Sequence, residues 1–296
     1  MNTLESEIKK SGLSVYRVSA LTGVPYSTLS DLVHGKTDLR KTQAGYLMAL
    51  SDALGVSPRV LLDGRRSYKV LNEATDLGKR MLVDSIWKSA GIEGLATTFP
   101  QTEAILENLP VETSADEVMF LLNMKRAWNF LFDNIEYPNS LMFIREVSRI
   151  AMSGILYSAG EIRTTPVGIG GTDWTPELPN TAVIIESLDN IAKIGNAIDA
   201  AIEMFCYISR TQMFLDGNKR VATLMANKVL MQNDVGILSV PYNCIPEFKS
   251  LLLDFYKSND RAAITEFFAQ KCLVLTKHGL EVKAEFDAMG DPPPKR

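Results

Sequence analysis

Apolar residues recur at intervals of three and four along most of this chain, which is the spacing of one face of an α-helix. The pattern is clearest in residues 197–209 and 219–232, with apolar positions at Ile198, Ile202, Phe205, Ile208, Val221, Leu224, Met225 and Leu230. One segment, residues 162–174, alternates instead and is rich in Thr and Gly, which predicts a β-hairpin. The sequence therefore predicts an all-α fold with one small hairpin at its edge.

Length and composition limit the class of protein. The chain has 296 residues, of which 46% are apolar and 22% charged, so it can bury a sizeable core and is expected to form two domains. It contains no uncharged apolar stretch of the roughly 18 residues that a membrane helix needs. Its start lacks the basic and apolar segments of a signal peptide, and we expect a cytoplasmic protein without a membrane partner.

The titratable residues are unevenly placed. Residues 1–66 contain nine Lys or Arg against six Asp or Glu, a net charge of +3, and the remainder contains 22 against 29, a net charge of −7. This asymmetry predicts a small cationic module on an acidic body. The two histidines, His34 and His278, lie near opposite ends, which excludes imidazole chemistry from the middle of the chain. Three separated cysteines form neither a disulfide framework nor a zinc motif.

The cationic segment predicts a series of short helices, at residues 4–10, 15–21, 26–33, 42–54 and 58–62. Ser14 is a plausible N-cap, Gly23 provides a tight turn, and Pro25 opens the following helix. Two helices of about eight residues joined by a glycine turn predict a helix-turn-helix.

Residues 19–30 and 54–58 resemble the phage-repressor (Cro/CI, or XRE) family of five-helix DNA-binding domains. The resemblance implies that the second helix of the pair enters the major groove and that a DNA operator is the partner. Because helix-turn-helix proteins often bind paired half-sites, operator symmetry predicts a homodimer. Base contacts would come from Tyr26, Ser27, Thr28 and Asp31, and phosphate contacts from Arg17 and Lys36. The alternative is a helical bundle that only contacts the rest of the chain or a protein partner. His34 is expected to be a surface residue.

A second candidate site lies at residues 216–220, Asp-Gly-Asn-Lys-Arg, where a loop becomes a helix. Free backbone N–H groups and the positive end of the helix dipole meet there, Gly217 allows close approach of a ligand, and Arg220 adds charge-assisted hydrogen bonds. Asp216 is a candidate Mg²⁺ ligand. These features are typical of a phosphate site, although Asp-Gly-Asn is also an ordinary turn and cap sequence.

Three segments in the same order resemble the Fic/Doc (Fido) family over about residues 80–275. Phe214, Asp216, Gly217, Asn218, Lys219 and Arg220 fit its active-site pattern His-x-Phe-x-Asp/Glu-Gly-Asn-Gly/Lys-Arg-x-x-Arg. Val167, Gly168, Ile169 and Gly170 are similar to its flap hairpin, and Ser89, Glu93 and Gly94 to its inhibitory motif. The resemblance implies ATP and Mg²⁺ as cofactors and transfer of AMP to a hydroxyl of a target protein. Considered alone, Glu93 and Gly94 are also an ordinary helix end.

Two positions depart from the family pattern. Gln212 stands where the family has its general base, a histidine, and a neutral amide cannot take a proton near pH 7. Thr223 replaces the second arginine, which in the family holds distal phosphates and pairs with the inhibitory glutamate, so Glu93 is expected to lose its partner.

We therefore expect a helix-turn-helix domain at residues 1–66, a helical linker at 67–115, a Fic-like domain at 116–277 and a C-terminal tail at 278–296. The leading hypothesis is a DNA-binding transcriptional regulator whose Fic-like domain keeps a phosphate or nucleotide pocket but transfers AMP poorly. The alternatives are an active adenylyltransferase with a base other than histidine, and a Fic-like domain that serves only to dimerise or to bind a partner.

Overall fold

A computed structural model describes residues 3–54, 56, 58–63 and 72–290. The chain divides into two compact units, the first formed by Met1–Val70 with Glu136–Met142 and the second by Leu71–Ile135 with Phe143–Arg296. The described residues of the expected linker, from 72 to 115, therefore belong to the second unit. The four-part division expected from sequence stays a prediction.

The first unit consists of short helices at the positions that the caps and turns predict. Its helices are α1 (Thr3–Ser11), α2 (Val15–Thr22), α3 (Tyr26–Val33), α4 (Ala44–Leu54) and α5 (Pro58–Asp63). The Ser14 side chain accepts a hydrogen bond from the Arg17 backbone N–H at 3.2 Å, and Gly23 ends α2 at a φ of +69°. Val18, Leu29 and Leu50 are fully buried in the core that the helices share.

The second unit is also helical. Its helices are α6 (Glu73–Arg80), α7 (Leu82–Glu93), α8 (Phe99–Leu106), α9 (Ala115–Asp133), α10 (Leu141–Ala151), α11 (Thr181–Ile191), α12 (Ala197–Thr211), α13 (Asn218–Gln232), α14 (Ile245–Ser258), α15 (Ala262–Phe267) and α16 (Lys277–Gly290), with the first two residues of α10 assigned to the first unit. The helices α12 and α13 pack against each other at its centre. Because almost every residue of α13 is buried, this pair forms a rigid base for the loop between them.

A single two-stranded sheet is found in the described part of the chain. Strands β1 (Gly236–Leu238) and β2 (Leu273–Leu275) pair antiparallel, with Ile237 opposite Val274. The fold class expected from sequence, mostly helical with one small antiparallel pair, is confirmed.

The expected location of that pair is wrong. Residues 162–174 form no strand, and most of them are exposed to solvent. Pro166 lacks a backbone N–H, and a short exposed segment without a partner strand has no ladder of hydrogen bonds to stabilise it.

The expected C-terminal tail is also partly wrong, because residues 277–290 form α16. The Thr276 hydroxyl accepts a hydrogen bond from the Gly279 N–H at 2.9 Å at the start of this helix. The Asn196 side chain donates to the Val282 carbonyl at 3.1 Å and holds the helix against the start of α12. Residues 291–296 lie outside the described residues. No helix in the described ranges is both long and apolar enough to span a membrane.

Candidate active site

The motif loop, residues 212–217, joins α12 to α13 and is held by the first residue of α13. Asn218 is 3% exposed, and its side-chain oxygen accepts from the Phe214 N–H at 3.0 Å. Its amide nitrogen donates to the Phe214 carbonyl at 2.8 Å and to Gln212 Oε1 at 3.0 Å. One asparagine therefore fixes both ends of the turn, as expected for a buried polar group whose hydrogen bonds are made.

Gly217 is required by its conformation and by its surroundings. It lies at a φ of +80°, and a Cβ at this position would be 2.5 Å from the sulfur of buried Met152. Its N–H donates to the Asp216 carboxylate at 2.6 Å. The sequence Asp-Gly-Asn thus forms a turn before α13, as in the simpler of the two interpretations, and the phosphate site of the other interpretation stays a prediction.

Arg220 lies one turn into α13 with its side chain almost buried. Its Nη2 pairs with Asp216 Oδ2 at 3.0 Å, and its guanidinium lies 5.4 Å from the centre of the Phe120 ring. Its Nε is buried without a hydrogen-bond partner in the described part of the chain. A buried cationic donor that lacks an acceptor is costly, and an anionic ligand at the start of α13 would satisfy it.

Glu93 keeps a cationic partner, contrary to expectation. It is the last residue of α7, ahead of Gly94 at a φ of +85°, and its Oε1 lies 3.7 Å from Lys219 Nζ. Thr223, at the position of the family's second arginine, instead donates its hydroxyl hydrogen bond to the Lys219 carbonyl. The expectation considered only the arginine that Thr223 replaces, and it overlooked Lys219 as another possible partner of Glu93. Ser89, the first residue of the same motif, donates to the Ser85 carbonyl within α7.

Gln212 is in the left-handed region, at a φ of +48°, and both ends of its amide are engaged. The Nε2 donates to the Ser209 carbonyl at 2.5 Å, and Oε1 accepts from Asn218. The buried hydroxyl of Tyr256 lies beside it, and burial raises the pKa of Tyr256 well above its usual range. Neither side chain therefore offers a base near pH 7.

The motif loop and the predicted flap residues meet at a cavity of about 410 Å³. We call residues 164–173 the flap segment. Its residues at the cavity are Val167, Gly168, Ile169 and Gly170, which face Gln212, Asp216, Lys219 and Glu93 across it. The structure thus brings together the three segments that the sequence analysis singled out, although the flap is not a hairpin. The cavity lining, as far as the chain is described, contains no histidine.

Arg163, which precedes the flap segment, is a site residue that the sequence reasoning missed. It is 4% exposed, and its Nε donates to the Gln212 carbonyl at 2.6 Å. Its Nη1 donates to the Thr165 carbonyl at 2.9 Å and its Nη2 to the Glu177 carbonyl at 2.5 Å. Burial lowers the pKa of Arg163, which still leaves it charged near pH 7. No local sequence signal marks an arginine whose partners are distant backbone carbonyls.

The residues expected to contact DNA lie on α2, on α3 and just after α3. Arg17, Tyr26, Ser27 and Lys36 are exposed, whereas Thr28 and Asp31 are half-buried. Lys36 forms an ion pair with Asp31 at 3.4 Å, so these two side chains partly neutralise each other. Tyr16, which the sequence reasoning missed, is 74% exposed, and its ring centre lies 6.3 Å from that of Tyr26. His34 is exposed, as expected.

Metal ligands are sparse. The described residues contain no cluster of three or more His, Cys, Asp or Glu side chains that could hold an ion by themselves. Asp216 is 61% exposed at its side chain, beside the start of α13. This fits Mg²⁺, which proteins often bind through one or two carboxylates together with phosphate oxygens and waters.

Comparison with known proteins supports the assignment of this site. Residues 139–230 match the sequence profile of the Fic/DOC family, whereas no curated protein matches the chain significantly. A Fic family protein from Desulfovibrio desulfuricans G20 superposes with a TM-score of 0.57 at 16% identity, covering 77% of this chain and 72% of its own.

Two further solved structures give similar results. Fic-1 (residues 134–508) from C. elegans has a TM-score of 0.55 at 18% identity and covers 93% of this chain and 98% of its own. A Fic domain containing signaling protein from Bacteroides thetaiotaomicron VPI-5482 has a TM-score of 0.53 at 18% identity, with 74% and 87% covered. At these identities the structures show a shared fold. Residues 139–230, which match the Fic/DOC sequence profile, include the motif loop and the start of α13, so the family resemblance extends over this part of the chain.

Proposed function

We propose that the chain is a DNA-binding transcriptional regulator whose Fic-type domain binds a nucleotide phosphate but transfers AMP poorly. The observation that carries the proposal is the position of Gln212. It stands where the family has its base, and its amide is engaged with Ser209 and Asn218. General-base catalysis contributes about 10²–10⁴ to a rate, so its loss alone would cripple transfer.

The phosphate pocket is supported by Arg220 and by the start of α13. The unpartnered Nε of Arg220 and the N-terminal N–H groups of the helix suit an anionic ligand. Asp216 would hold Mg²⁺ together with the phosphates, and the ion would neutralise part of their charge. ATP is the expected nucleotide by family resemblance.

The DNA-binding role is supported by the exposed polar side chains of α2 and α3. Arg17, Ser27 and Tyr26 are exposed at a helix pair joined by Gly23, in a segment of net charge +3. Such side chains suit phosphate and base-edge hydrogen bonds. Homodimerisation follows from the paired half-sites that helix-turn-helix proteins commonly bind.

Nucleotide binding and transfer can be tested separately with purified protein. Calorimetry should detect ATP with Mg²⁺, and Arg220→Met should weaken binding by roughly tenfold or more because a charge-assisted contact is lost. Arg145→Met is the matched control, since Arg145 is exposed and lies outside the cavity lining. Absence of nucleotide binding would instead favour a Fic-type domain that only dimerises or binds a partner.

Transfer is measured with ATP labelled at the α-phosphate. We expect no label on the wild type or on added candidate proteins, and Mg²⁺-dependent label with Gln212→His combined with Glu93→Gly. Label on the wild type that disappears in Asp216→Ala and Arg220→Ala would establish the alternative, an active adenylyltransferase without the histidine base.

DNA binding is tested by selecting sequences from a random duplex pool at physiological salt. A selected site should bind the wild type, and Arg17→Ala and Ser27→Ala should weaken it, whereas Lys193→Ala, at an exposed position after α11, should not. Enrichment of no sequence would refute the regulator role. Light scattering that finds a monomer on the selected site would refute the dimer.

A further inference from the structure

A second cavity of about 650 Å³ lies within the same unit as the Fic-type site but has different walls. It is bounded by residues 174–180, by the outer face of α12 and by residues at the end of α14 and beyond it. Its size falls in the usual range for sites of small organic ligands. The residues of the motif loop do not line it, so the proposed nucleotide pocket does not account for it.

Arg210 is a cation in this cavity for which no close ion pair is found among the described residues, although the Glu177 carboxylate attracts it from a longer distance. Its guanidinium lies 4.5 Å from the centre of the Trp174 ring, and its Nε donates to the Tyr256 carbonyl at 3.3 Å. Burial lowers the pKa of Arg210, which marks a guanidinium that is already partly desolvated. Stacking and one hydrogen bond fix its plane, and its two terminal nitrogens stay available for a planar anion.

The other charges of the cavity limit the ligand to a single negative charge. Arg261 is already paired, with Asp199 at 2.8 Å and with Glu203 at 3.1 Å. Glu203 and Glu177 both line the cavity, and a ligand of higher negative charge would be repelled by them. A ligand with one carboxylate therefore matches the guanidinium of Arg210, since that of Arg261 is already paired.

Part of the remaining wall is apolar, and the rest is polar, with Thr175, Asn180 and Asn259 among its residues. Leu178 and Val183 are each 55% exposed where they line the cavity, and Ile184 and Phe255 are buried behind them. Covering exposed apolar surface removes it from water, which favours binding. The walls therefore suit an aliphatic or aromatic body attached to the carboxylate.

We propose that this cavity binds an apolar molecule that carries one carboxylate, with Arg210 as the anchor of the carboxylate. Such a group occurs in a small organic acid and at the C-terminus of a peptide that ends in an apolar residue. The proposal is independent of the nucleotide pocket and of the DNA-binding role.

The experiment uses ligand-detected NMR and calorimetry on the full chain with defined probes. The small acid is 3-phenylpropionate, its neutral control is 3-phenylpropanamide, and the peptide is acetyl-Gly-Gly-Phe with a free C-terminus. We expect saturable binding of at least one acid, binding of the amide that is at least tenfold weaker, and no competition by inorganic phosphate. Tighter binding of the peptide would indicate that the natural carboxylate is a peptide C-terminus. Tighter binding of 3-phenylpropionate would indicate that it belongs to a small organic acid.

Two variants test the assigned residues, and thermal unfolding shows whether each is folded. Arg210→Gln should weaken the bound acid by roughly tenfold or more because a charge-assisted hydrogen bond is lost. Val183→Asp, at an exposed position, should fold normally and repel the carboxylate, whereas Arg145→Gln, outside both cavities, should bind as the wild type does. The proposal is overturned if neither acid saturates the protein, or if Val183→Asp and folded Arg210→Gln bind like the wild type.

Discussion

The motif loop and the flap segment line one cavity but are held in place by different means. The motif loop lies between two long helices, Met213 and Phe214 are fully buried, and Asn218 ties the turn together through neighbouring backbone atoms. The flap segment is mostly exposed, and the described residues form no strand ladder within it. Arg163 connects it to the motif loop through carbonyls that are up to 49 residues away.

The two regions differ in whether contacts close in sequence or distant in sequence stabilise them. A turn, the Asn218 side chain and a buried helix pair stabilise the motif loop mainly through residues that are close in sequence, so its conformation depends largely on the local sequence. The flap segment is connected across the fold by Arg163, through its side chain and through its backbone N–H, which donates to the Met213 carbonyl at 3.0 Å. We expect the two regions to differ in stability, in tolerance of substitution and in the predictability of their structures.

Hydrogen exchange should give the largest contrast. Amides of α12 and α13 belong to the buried centre of the unit and should exchange only through global unfolding, whereas amides of the flap segment should exchange through local opening. We expect protection factors to differ by roughly 10⁴ or more, which corresponds to the lower range of domain stabilities. Exchange followed by mass spectrometry of peptides from both regions measures this. Equal protection would mean that the flap segment is part of the rigid core.

Replacing Arg163 should affect both regions. Arg163→Met keeps most of the apolar length but leaves the carbonyls of Gln212, Thr165 and Glu177 without their donor. Three hydrogen bonds that contribute about 0.5–1.5 kcal/mol each predict a loss of roughly 3 kcal/mol in the free energy of unfolding. Urea denaturation gives the value.

Arg145→Met provides the matched control for that measurement. Arg145 is exposed, and its Nε donates to one carbonyl, that of Gly160, at 2.8 Å. Its loss should cost less than about 1 kcal/mol. If Arg163→Met were as mild as this control, the flap segment would need another support, and the importance assigned to Arg163 would be wrong.

Two glycines, one from each region, offer a smaller and sharper test. Gly217→Ala places a Cβ 2.5 Å from the Met152 sulfur at a φ of +80°, whereas Gly170→Ala has open space and an ordinary φ. Strain and overpacking predict a cost of about 2–3 kcal/mol for Gly217→Ala and less than about 0.5 kcal/mol for Gly170→Ala. Thermal unfolding of both variants measures these two costs. Similar melting temperatures would contradict the expected difference between the motif loop and the flap segment.

The same distinction explains how much of the fold the sequence predicts. The sequence predicts α3, after Pro25, and α12, from its apolar spacing, to within two residues. Helix α16 is missing from the sequence prediction, which has a tail from residue 278, because its support comes from Asn196 and Thr276, and not from its own weak apolar pattern. The expected hairpin at residues 162–174 failed for the corresponding reason, since an alternating pattern gives no strand without a partner strand.

For the site, the sequence motifs predict that the motif loop, the flap segment and the segment around Glu93 belong together. In the structure these three segments line one cavity, which agrees with the prediction. Sequence could not provide the pairing of Glu93 with Lys219, because the partner of a charged side chain depends on how α7 lies against α13. Arg163 was not predictable either, since its partners are backbone carbonyls that carry no residue-type signal.

The Glu93–Lys219 pair should give the smallest effect on stability. The two side chains lie 3.7 Å apart and are 20% and 37% exposed, which allows solvent to screen the attraction. A double-mutant cycle with Glu93→Gln and Lys219→Met should yield a coupling energy of about 0.5 kcal/mol, typical of a partly exposed pair. Lys283 and Asp287, a pair on α16 at 2.6 Å whose side chains are 19% and 59% exposed, supply the control cycle. A coupling above about 2 kcal/mol would show that α7 is fastened to the motif segment by this pair, so that Glu93 would be as firmly fixed as Gln212.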